Sequence, residues 1–326
     1  MIELVFFKAL KAPTNHDLAK LFNTSDEWIQ QRTGIVERRY VDGDDIGASD
    51  LAVPAAQRAV EAAGLKMNDI EFIIFATLSP DYQFPGSACL LQDKLGLPGI
   101  GALDIRNQCS GFIYCLAVAD AFIRMGMYKH ILIAGAEIHS TALEFTDRGR
   151  DVTVLFGDGA GAAVLGATEE NRGILSTHLH ADGRYAKDLW IEIPASRYNP
   201  RVTREHLEQG RQYPRMNGRK VFKMAVERLP EVINEALSAN GVTIGDIALL
   251  VPHQANLRIN EFVAGILDIP PEKVYNNIQR YGNTTAASIP IALNEAIQEG
   301  KAKRGDLVLL AALGAGFTWA SCLLRL

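Results

Sequence analysis

The chain has 326 residues, of which 48% are hydrophobic and 22% are charged, and its formal net charge is −5. This acidic balance lacks the broad basic field that nucleic-acid binding needs. No Cys/His group in the sequence has the spacing of a metal site, and no apolar run reaches the ~18 residues that a membrane span requires. The four cysteines lie in apolar runs without a disulfide-like framework, so we expect a cytoplasmic, enzyme-sized protein.

Along the chain, short apolar segments alternate with helix-forming ones. Residues 59–77 predict a helix, a turn and a buried strand, and residues 102–108 (ALDIRNQ) predict a strand that ends in polar residues. The segment 109–127 is apolar nearly all round but too long for a strand, so it predicts a helix buried between layers. The run HILIAGAE (130–137) predicts another buried strand. The polar, irregular residues 183–220 predict a surface excursion, part of a substrate entrance or of a dimer contact.

The second half of the chain repeats the plan of the first. Residues 233–254 again contain a helix, a glycine stop, a turn with Asp-Ile and a buried strand, as residues 59–77 do. One offset of 177 positions (for example 241 − 64) relates the matched features, which are Gly64 with Gly241, Asp69 with Asp246, Cys109 with Ala286, and the run 130–137 with 307–314. This repeat predicts two related halves, residues 1–170 and 171–326, in a layered α/β fold with central helices between two sheets.

The stretch NQCSGF places Cys109 where a strand gives way to the buried helix. A thiol at a helix N-terminus meets free N–H groups and the positive end of the macrodipole, which stabilise a thiolate. Its own N–H group is then available for an oxyanion. A buried cysteine is, however, commonly inert, and the residues alone leave both interpretations open for Cys109. The apolar surroundings predict buried, inert thiols for Cys89, Cys115 and Cys322.

Two further polar residues stand at predicted junctions in the second half. His253 follows the buried strand IALLV, so it points into the crevice where α/β sheets bind ligands, unless it is a surface-loop histidine. Asn283 follows Gly282, and its alternative role is to cap the next helix with Thr284 or Thr285. A pseudo-two-fold axis between the halves would bring the cysteine, the histidine and the asparagine together.

Several motifs together resemble a known family. NQCSGF, GDGAGAAVL, VPHQANLRI, YGNTTAASIP and GAGFTW, with TSDEWIQQRTGI near the start, resemble β-ketoacyl-acyl-carrier-protein synthase III of the thiolase superfamily over nearly the whole chain. The resemblance implies a thiolase-like fold of two duplicated βαβαβαββ halves in five α-β-α-β-α layers. It also implies a homodimeric acyltransferase without a cofactor that initiates fatty acid synthesis. In such an enzyme an acyl-CoA acylates the cysteine, and malonyl on acyl carrier protein is decarboxylated to an enolate that attacks the thioester.

The resemblance assigns roles to residues of this chain. Cys109 matches the nucleophile, His253 and Asn283 match the decarboxylation pair, and the oxyanion hole is expected at the N–H groups of Cys109 and Ala315. The residues expected to contact CoA and its pantetheine arm are Thr24, Trp28, Arg32, Arg148 and Asn256, with Trp28 and Arg148 on opposite faces of the adenine. The acyl pocket is expected at Gln108, at Leu313 and at Phe84, which would reach across the dimer. Carrier-protein docking is expected at Arg258 and Lys223.

Other functions share parts of these patterns. GDGAGA (157–162) fits a dinucleotide-binding motif, but a strand-like run follows it where a phosphate-binding helix is needed. A degradative thiolase needs a second cysteine in the C-terminal glycine-rich turn, and a papain-like hydrolase needs a C-G-S-C-W setting that this chain lacks. A related ketosynthase of secondary metabolism or of long acyl chains, and an inactive acyl-carrier-binding subunit, stay open. So do the primer length and the carrier of the malonyl group.

Overall fold

Two mixed β-sheets organise the chain in the computed structural model, which describes residues 2–4 and 10–326. The strands are β1 (Ile2–Leu4), β2 (Leu10–Lys11), β3 (Tyr40–Val41), β4 (Phe72–Ala76), β5 (Gly101–Ile105), β6 (His130–Glu137), β7 (Gly159–Gly166), β8 (Gly173–Ala181), β9 (Leu189–Trp190), β10 (Arg215–Met216), β11 (Leu249–Pro252), β12 (Leu307–Gly314) and β13 (Thr318–Arg325). The helices are α1 (Asn15–Leu18), α2 (Asp26–Thr33), α3 (Ala48–Ala62), α4 (Ser87–Lys94), α5 (Gly111–Arg124), α6 (Arg150–Thr153), α7 (Arg204–Glu208), α8 (Gly218–Asn240), α9 (Leu257–Ile266), α10 (Ile278–Tyr281) and α11 (Ser288–Gln298). None of these helices has both the length and the apolar character needed to cross a bilayer.

The first sheet takes its strands from the first half of the chain, in the order β1-β7-β6-β4-β5. β4 pairs in parallel with β5 and β6, and β7 runs antiparallel to β6 and β1. In β4 and β6 every residue after the first is buried, as expected for strands covered on both faces. The sequence prediction of buried strands at these two runs is therefore confirmed.

The second sheet has the order β11-β12-β13-β8, which matches β4-β6-β7-β1 of the first sheet. Within residues 10–326 no strand takes the place of β5. Instead, Val274 forms an isolated parallel bridge to Leu250, and the Tyr275 N–H donates to the Leu250 carbonyl oxygen at 2.9 Å. The second half thus departs from the expected βαβαβαββ order by one strand.

Helices fill the space between the sheets and cover their outer faces. α5 and α11 lie between the sheets, in a core that joins Phe112 and Leu293 to Ile133 of the first sheet and Leu310 of the second. α3 and α4 cover the outer face of the first sheet, and α8 and α9 cover that of the second. The layers therefore run α-β-α-β-α, which confirms the predicted thiolase-like fold and the predicted buried helix.

The internal repeat is visible in the backbone. β6 and β12 have the same length and are separated by the offset of 177 positions (307 − 130). The same offset relates the 3₁₀ turns Gln108–Ser110 and Thr285–Ala287. Gln108 and Thr285 both have a positive φ, 44° and 49°, a conformation that is costly for residues other than glycine. The repeat is confirmed at these elements, while the boundary at residue 170 stays a prediction.

Residues 183–220 contain more regular structure than the sequence predicts. β9 and β10 pair antiparallel, with Met216 opposite Leu189, and α7 lies between them in the chain. Leu189, Met216 and Arg219 line a large cavity. The excursion therefore borders this cavity, in agreement with one of its two predicted roles.

Candidate active site

Three buried polar side chains line a cavity of about 670 Å³. They are Cys109, His253 and Asn283, each no more than 6% exposed. Cys109 comes from the turn before α5, His253 from the loop after β11, and Asn283 from the segment before α11. The structure thus brings together the three residues that the sequence singled out. Cys109 and Asn283 meet because α5 and α11 occupy the same central layer, and His253 joins them from the end of β11.

Cys109 lies in the 3₁₀ turn Gln108–Ser110, and α5 begins two residues later, at Gly111. The glycine-rich turn after β12 packs directly against it. A Cβ atom at Gly314 would lie 2.9 Å from both the backbone nitrogen and the Cβ of Cys109. Only glycine therefore lets this turn approach the cysteine so closely.

The Cys109 thiol is neutral in the resting site. Burial raises its pKa to about 12, and the negative charge of Glu137 acts in the same direction. The backbone N–H groups of Cys109 and Ala315 bond to the sulfur and act in the opposite direction. The expectation of a lowered pKa is wrong here, since burial outweighs these donors. The two N–H groups are nevertheless those at which the oxyanion hole is expected.

His253 is held by its Nδ1 atom, which leaves Nε2 free. Its backbone N–H donates to the Ala311 carbonyl oxygen at 2.8 Å, and Nδ1 lies 2.6 Å from Ser288 Oγ. Ser288 Oγ accepts from the Gln254 N–H at 3.4 Å, so its own proton is available for Nδ1. Nε2 is buried without a protein partner. Burial lowers the pKa of His253 to about 3, so the ring is neutral, and with Ser288 as the donor to Nδ1 its proton lies on Nε2.

The Asn283 side chain lies at the cavity and also bonds to the turn that follows it. Its Oδ1 accepts at 2.9 Å from the N–H of Thr285, the first residue of the following 3₁₀ turn. Because Oδ1 makes this bond, Nδ2 lies on the other side of the amide and is available as a donor. Gly282 before it has φ 65°, and a Cβ there would lie 2.8 Å from the Leu155 carbonyl oxygen. The predicted unusual backbone at Gly282 is therefore confirmed.

Basic and aromatic side chains line the outer part of the cavity. The guanidinium carbons of Arg32 and Arg150 lie 4.4 and 4.7 Å from the centre of the Trp28 ring. Arg219 and Arg258 also line the cavity and are exposed. An indole with four guanidinium groups suits a ligand that combines phosphate groups with a flat ring.

Comparison with known proteins shows the family of this chain. Models described as 3-oxoacyl-[acyl-carrier-protein (ACP)] synthase III and as its C-terminal part match residues 103–183 and 237–326. β-Ketoacyl-[acyl-carrier-protein] synthase III of Xanthomonas campestris is 49% identical over 315 residues, 97% of this chain and 94% of that protein. The same-named protein of Aquifex aeolicus is 46% identical over 312 residues, 96% of this chain and 94% of that protein. The chain belongs to the synthase III family.

Solved structures agree with this assignment. 3-Oxoacyl-[acyl-carrier-protein] synthase III of Aquifex aeolicus has a TM-score of 0.89 and 45% identity, covering 100% of this chain and 97% of that one. The priming β-ketosynthase of the R1128 polyketide pathway has a TM-score of 0.86 and 30% identity, covering 97% and 92%. The chain is an acyltransferase with 3-oxoacyl-[acyl-carrier-protein] synthase III function in the initiation of fatty acid synthesis. The predicted family, fold and activity class are confirmed.

Two alternatives to a synthase III can be checked against the structure. GDGAGA leads into β7 and then β8, so the phosphate-binding helix of a dinucleotide site does not follow it. Cys322 is buried in β13 and does not line the cavity, so it is not the second cysteine of a degradative thiolase. In the described part of the chain, no group of three His, Cys, Asp or Glu residues is suited to a metal ion.

Only some of the residues predicted to contact CoA line the cavity. Trp28 and Arg32 line the cavity as expected. Arg150, and not Arg148, lies over the Trp28 ring, because the Arg148 Nε donates to Glu144 Oε1 at 2.7 Å. Arg150 is thus a cavity-lining residue that the sequence analysis missed, and the motif match alone gave no signal for it.

The other two predicted CoA contacts differ from each other. Asn256 lines the cavity, but its Oδ1 caps α9 through the Arg258 N–H, and its Nδ2 donates to the Arg32 carbonyl oxygen at 2.9 Å. Its amide is therefore largely engaged within the protein. Thr24 does not line the cavity, although its Oγ1 is buried without a protein partner.

One of the three predicted acyl-pocket residues lines the cavity. Leu313 does so and is 6% exposed. The Gln108 amide instead donates to the Arg106 carbonyl oxygen at 3.3 Å, and Phe84 is 82% exposed on the loop before α4. Within a single chain, neither Gln108 nor Phe84 contributes to the cavity.

The remaining predictions concern docking and the other cysteines. Arg258 lies at the cavity, and Lys223 is exposed on α8, 3.8 Å from a Glu227 oxygen. Cys115 and Cys322 are buried, as predicted. Cys89 is exposed, so the prediction is wrong there, because it lies on the face of α4 opposite the buried residues Ser87, Ala88 and Leu91.

The end of β6 carries two buried titratable residues that the sequence analysis missed, Glu137 and His139. The Glu137 carboxylate accepts from Ser79 Oγ at 2.6 Å and from the Ala286 N–H at 3.5 Å. Burial raises the pKa of Glu137 to about 7. The sequence did carry a signal for Glu137. The offset of 177 positions pairs Glu137 with Gly314, so Glu137 is expected beside the turn at Ala286, as Gly314 is beside the turn at Cys109.

Proposed function

We propose that this synthase III transfers an acyl group from CoA to Cys109 and then condenses it with a malonyl group carried on acyl carrier protein. The observation that carries the proposal is the presence in one cavity of Cys109, a neutral His253 with a free Nε2, and the Asn283 amide. The reaction needs only thioester reactants and no metal or cofactor.

In the acylation step, the Cys109 sulfur loses its proton and bonds to the thioester carbon of the acyl-CoA. The bond from that carbon to the CoA sulfur breaks, and CoA leaves with a proton. The carbonyl oxygen becomes anionic on the way, and the N–H groups of Cys109 and Ala315 supply the donors for it. The N-terminus of α5 adds positive potential at the same place.

In the condensation step, the malonyl thioester loses CO₂, and the electron pair of the broken bond forms an enolate. His253 Nε2–H and the Asn283 Nδ2 group donate to the enolate oxygen, where the charge develops. The enolate carbon attacks the acyl carbon on Cys109, the acyl–sulfur bond breaks, and the 3-oxoacyl product leaves. The sulfur then takes up a proton, which restores the resting thiol.

The outer part of the cavity supports the choice of substrates. Trp28 with Arg32 and Arg150 suits the nucleotide of CoA, since an indole stacks on a base and guanidinium groups pair with phosphates. For the carrier protein, we propose docking at Arg258 and Lys223, whose positive charges complement an acidic partner.

We further propose that the enzyme is a cytoplasmic homodimer. Tyr82 and Phe84 expose 59% and 82% of their surfaces on one loop, and β5 is an edge strand of the first sheet. An exposed apolar loop and an open sheet edge are features that a second copy of the chain covers.

The decisive test is mass spectrometry of the protein after incubation with a panel of acyl-CoAs of different length and branching. We expect one acyl adduct, located on the peptide that contains Cys109, with the preferred chain length read from the panel. Preference for long chains would favour the alternative ketosynthase. The absence of an adduct with every acyl-CoA would contradict the proposal and favour an inactive carrier-binding subunit.

The Trp28 site gives a second test. Arg150→Ala is expected to raise the KM for acyl-CoA about five- to tenfold with kcat nearly unchanged, because a cation–π and phosphate contact binds substrate and transition state alike. The matched control is Arg148→Ala, whose guanidinium pairs with Glu144, and its KM should stay within about twofold. A larger KM effect at Arg148 than at Arg150 would show that CoA binding exchanges the two arginines.

A further inference from the structure

A second histidine lies next to the site but has no role in the proposed reaction. His139 follows β6, is 6% exposed and does not line the cavity. Its Nε2 lies 2.7 Å from Thr285 Oγ1, and its ring centre lies 4.5 Å from that of Phe156. These two specific contacts indicate that the buried imidazole does more than fill space.

Both partners of His139 hold Asn283. The Thr285 N–H donates to Asn283 Oδ1 at 2.9 Å, which decides which end of the amide is free to act as a donor. Phe156 forms a β-bridge with Asn283 and lines the cavity. The imidazole thus contacts the residue that orients the Asn283 side chain and the residue that positions its backbone.

Thr285 needs this support because its φ is 49°, a conformation in which a β-branched residue is strained. The hydroxyl bond to His139 ties the strained residue to the first half of the molecule. His139 is itself anchored, since its N–H donates to Asp158 Oδ1 at 2.7 Å. Burial lowers the pKa of His139 to about 3, so the contact is made by a neutral ring.

We propose that His139 is a positioning residue of the condensation step. It holds Thr285, and through it the Asn283 amide, in the orientation that donates to the enolate oxygen. This inference rests on the role of Asn283 in the proposed function. Because both side-chain contacts of His139 are with residues that hold Asn283, we expect condensation to depend on it more than acylation of Cys109 does.

The test separates the two half-reactions. His139→Phe keeps a ring beside Phe156 and removes the hydrogen bond to Thr285. We expect condensation of malonyl-acyl carrier protein with the pre-acylated enzyme to fall about 10- to 100-fold, while the rate of Cys109 acylation changes less than about threefold. His139→Gln, whose amide can reach the same hydroxyl, should recover most of the condensation rate.

A double-variant cycle tests the route through Thr285. Thr285→Val removes the hydroxyl with little change of shape and should reduce condensation as much as His139→Phe does. The double variant should be no slower than either single one, because both remove the same hydrogen bond. His130→Phe, at the half-buried start of β6, is the matched control and should leave both half-reactions unchanged.

Three results would overturn the inference: a wild-type condensation rate in His139→Phe, a parallel loss of acylation and condensation, or losses that multiply in the double variant. Asn283→Ala separates this failure from failure of the proposed function. If Asn283→Ala condenses normally, the role of Asn283 is wrong. If it loses condensation while His139→Phe does not, only the role of His139 is wrong.

Discussion

Replacing His253 by alanine is expected to lower decarboxylative condensation by about 10²- to 10³-fold while the rate of Cys109 acylation falls less than about tenfold. The reason is that His253 holds a buried Nε2 donor with no protein partner, fixed through Nδ1 by Ser288 Oγ at 2.6 Å. The donors at the Cys109 sulfur are backbone N–H groups, which the substitution leaves in place. Acyl transfer from labelled acyl-CoA and CO₂ release from malonyl-acyl carrier protein measure the two steps separately.

His16→Ala serves as the control for this experiment, since the His16 side chain is 78% exposed and does not line the cavity. Ser288→Ala should give an intermediate loss of condensation, because it removes the group that holds Nδ1. Equal loss of acylation and condensation in His253→Ala would contradict our assignment. It would make His253 the base that removes the proton from the neutral Cys109 thiol.

Replacing Gly314 by alanine is expected to reduce acylation of Cys109 by at least about 10²-fold, although no reacting group is removed. The added methyl group would lie 2.9 Å from the backbone nitrogen and the Cβ of Cys109. Either the cysteine turn or the turn with Ala315 must shift, and the two N–H donors then no longer converge on one oxygen. Burst kinetics of CoA release measures this loss directly.

Gly245→Ala is the matched substitution for this prediction. A methyl group there would come no closer than 3.5 Å to Thr243 Oγ1, an ordinary contact, so acylation should be unchanged. The unfolding temperature of both variants shows whether Gly314→Ala is folded. Wild-type acylation in a folded Gly314→Ala protein would mean that the Ala315 N–H is not part of the oxyanion hole.

Much of the site could be predicted because the second half of the chain repeats the order of helices and strands in the first half. The offset that relates Cys109 to Ala286 identified α5 and α11 as equivalent helices, and equivalent helices in one central layer bring their N-terminal turns together. Cys109 and Asn283 followed from this argument. His253 followed from a different pattern, the polar residue after a buried strand.

The rest depended on tertiary contacts that a linear pattern does not contain. The protonation of Cys109 is decided by burial and by Glu137, a residue 28 positions further along the chain (137 − 109). The choice of Arg150 over Arg148 beside Trp28 depends on an ion pair with Glu144. Cys89 is exposed because it lies on the side of α4 that faces solvent.

The Glu137 carboxyl group contacts a turn that the internal repeat makes equivalent to the turn at Cys109. The repeat matches Ala286 with Cys109, and the Ala286 N–H donates to Glu137 Oε1 at 3.5 Å. In one copy of the duplicated turn, the N–H group therefore has a carboxyl oxygen of the protein itself as its partner. In the other copy the matching residue is Gly314, which has no side chain and leaves that place open for the oxyanion of our proposed reaction.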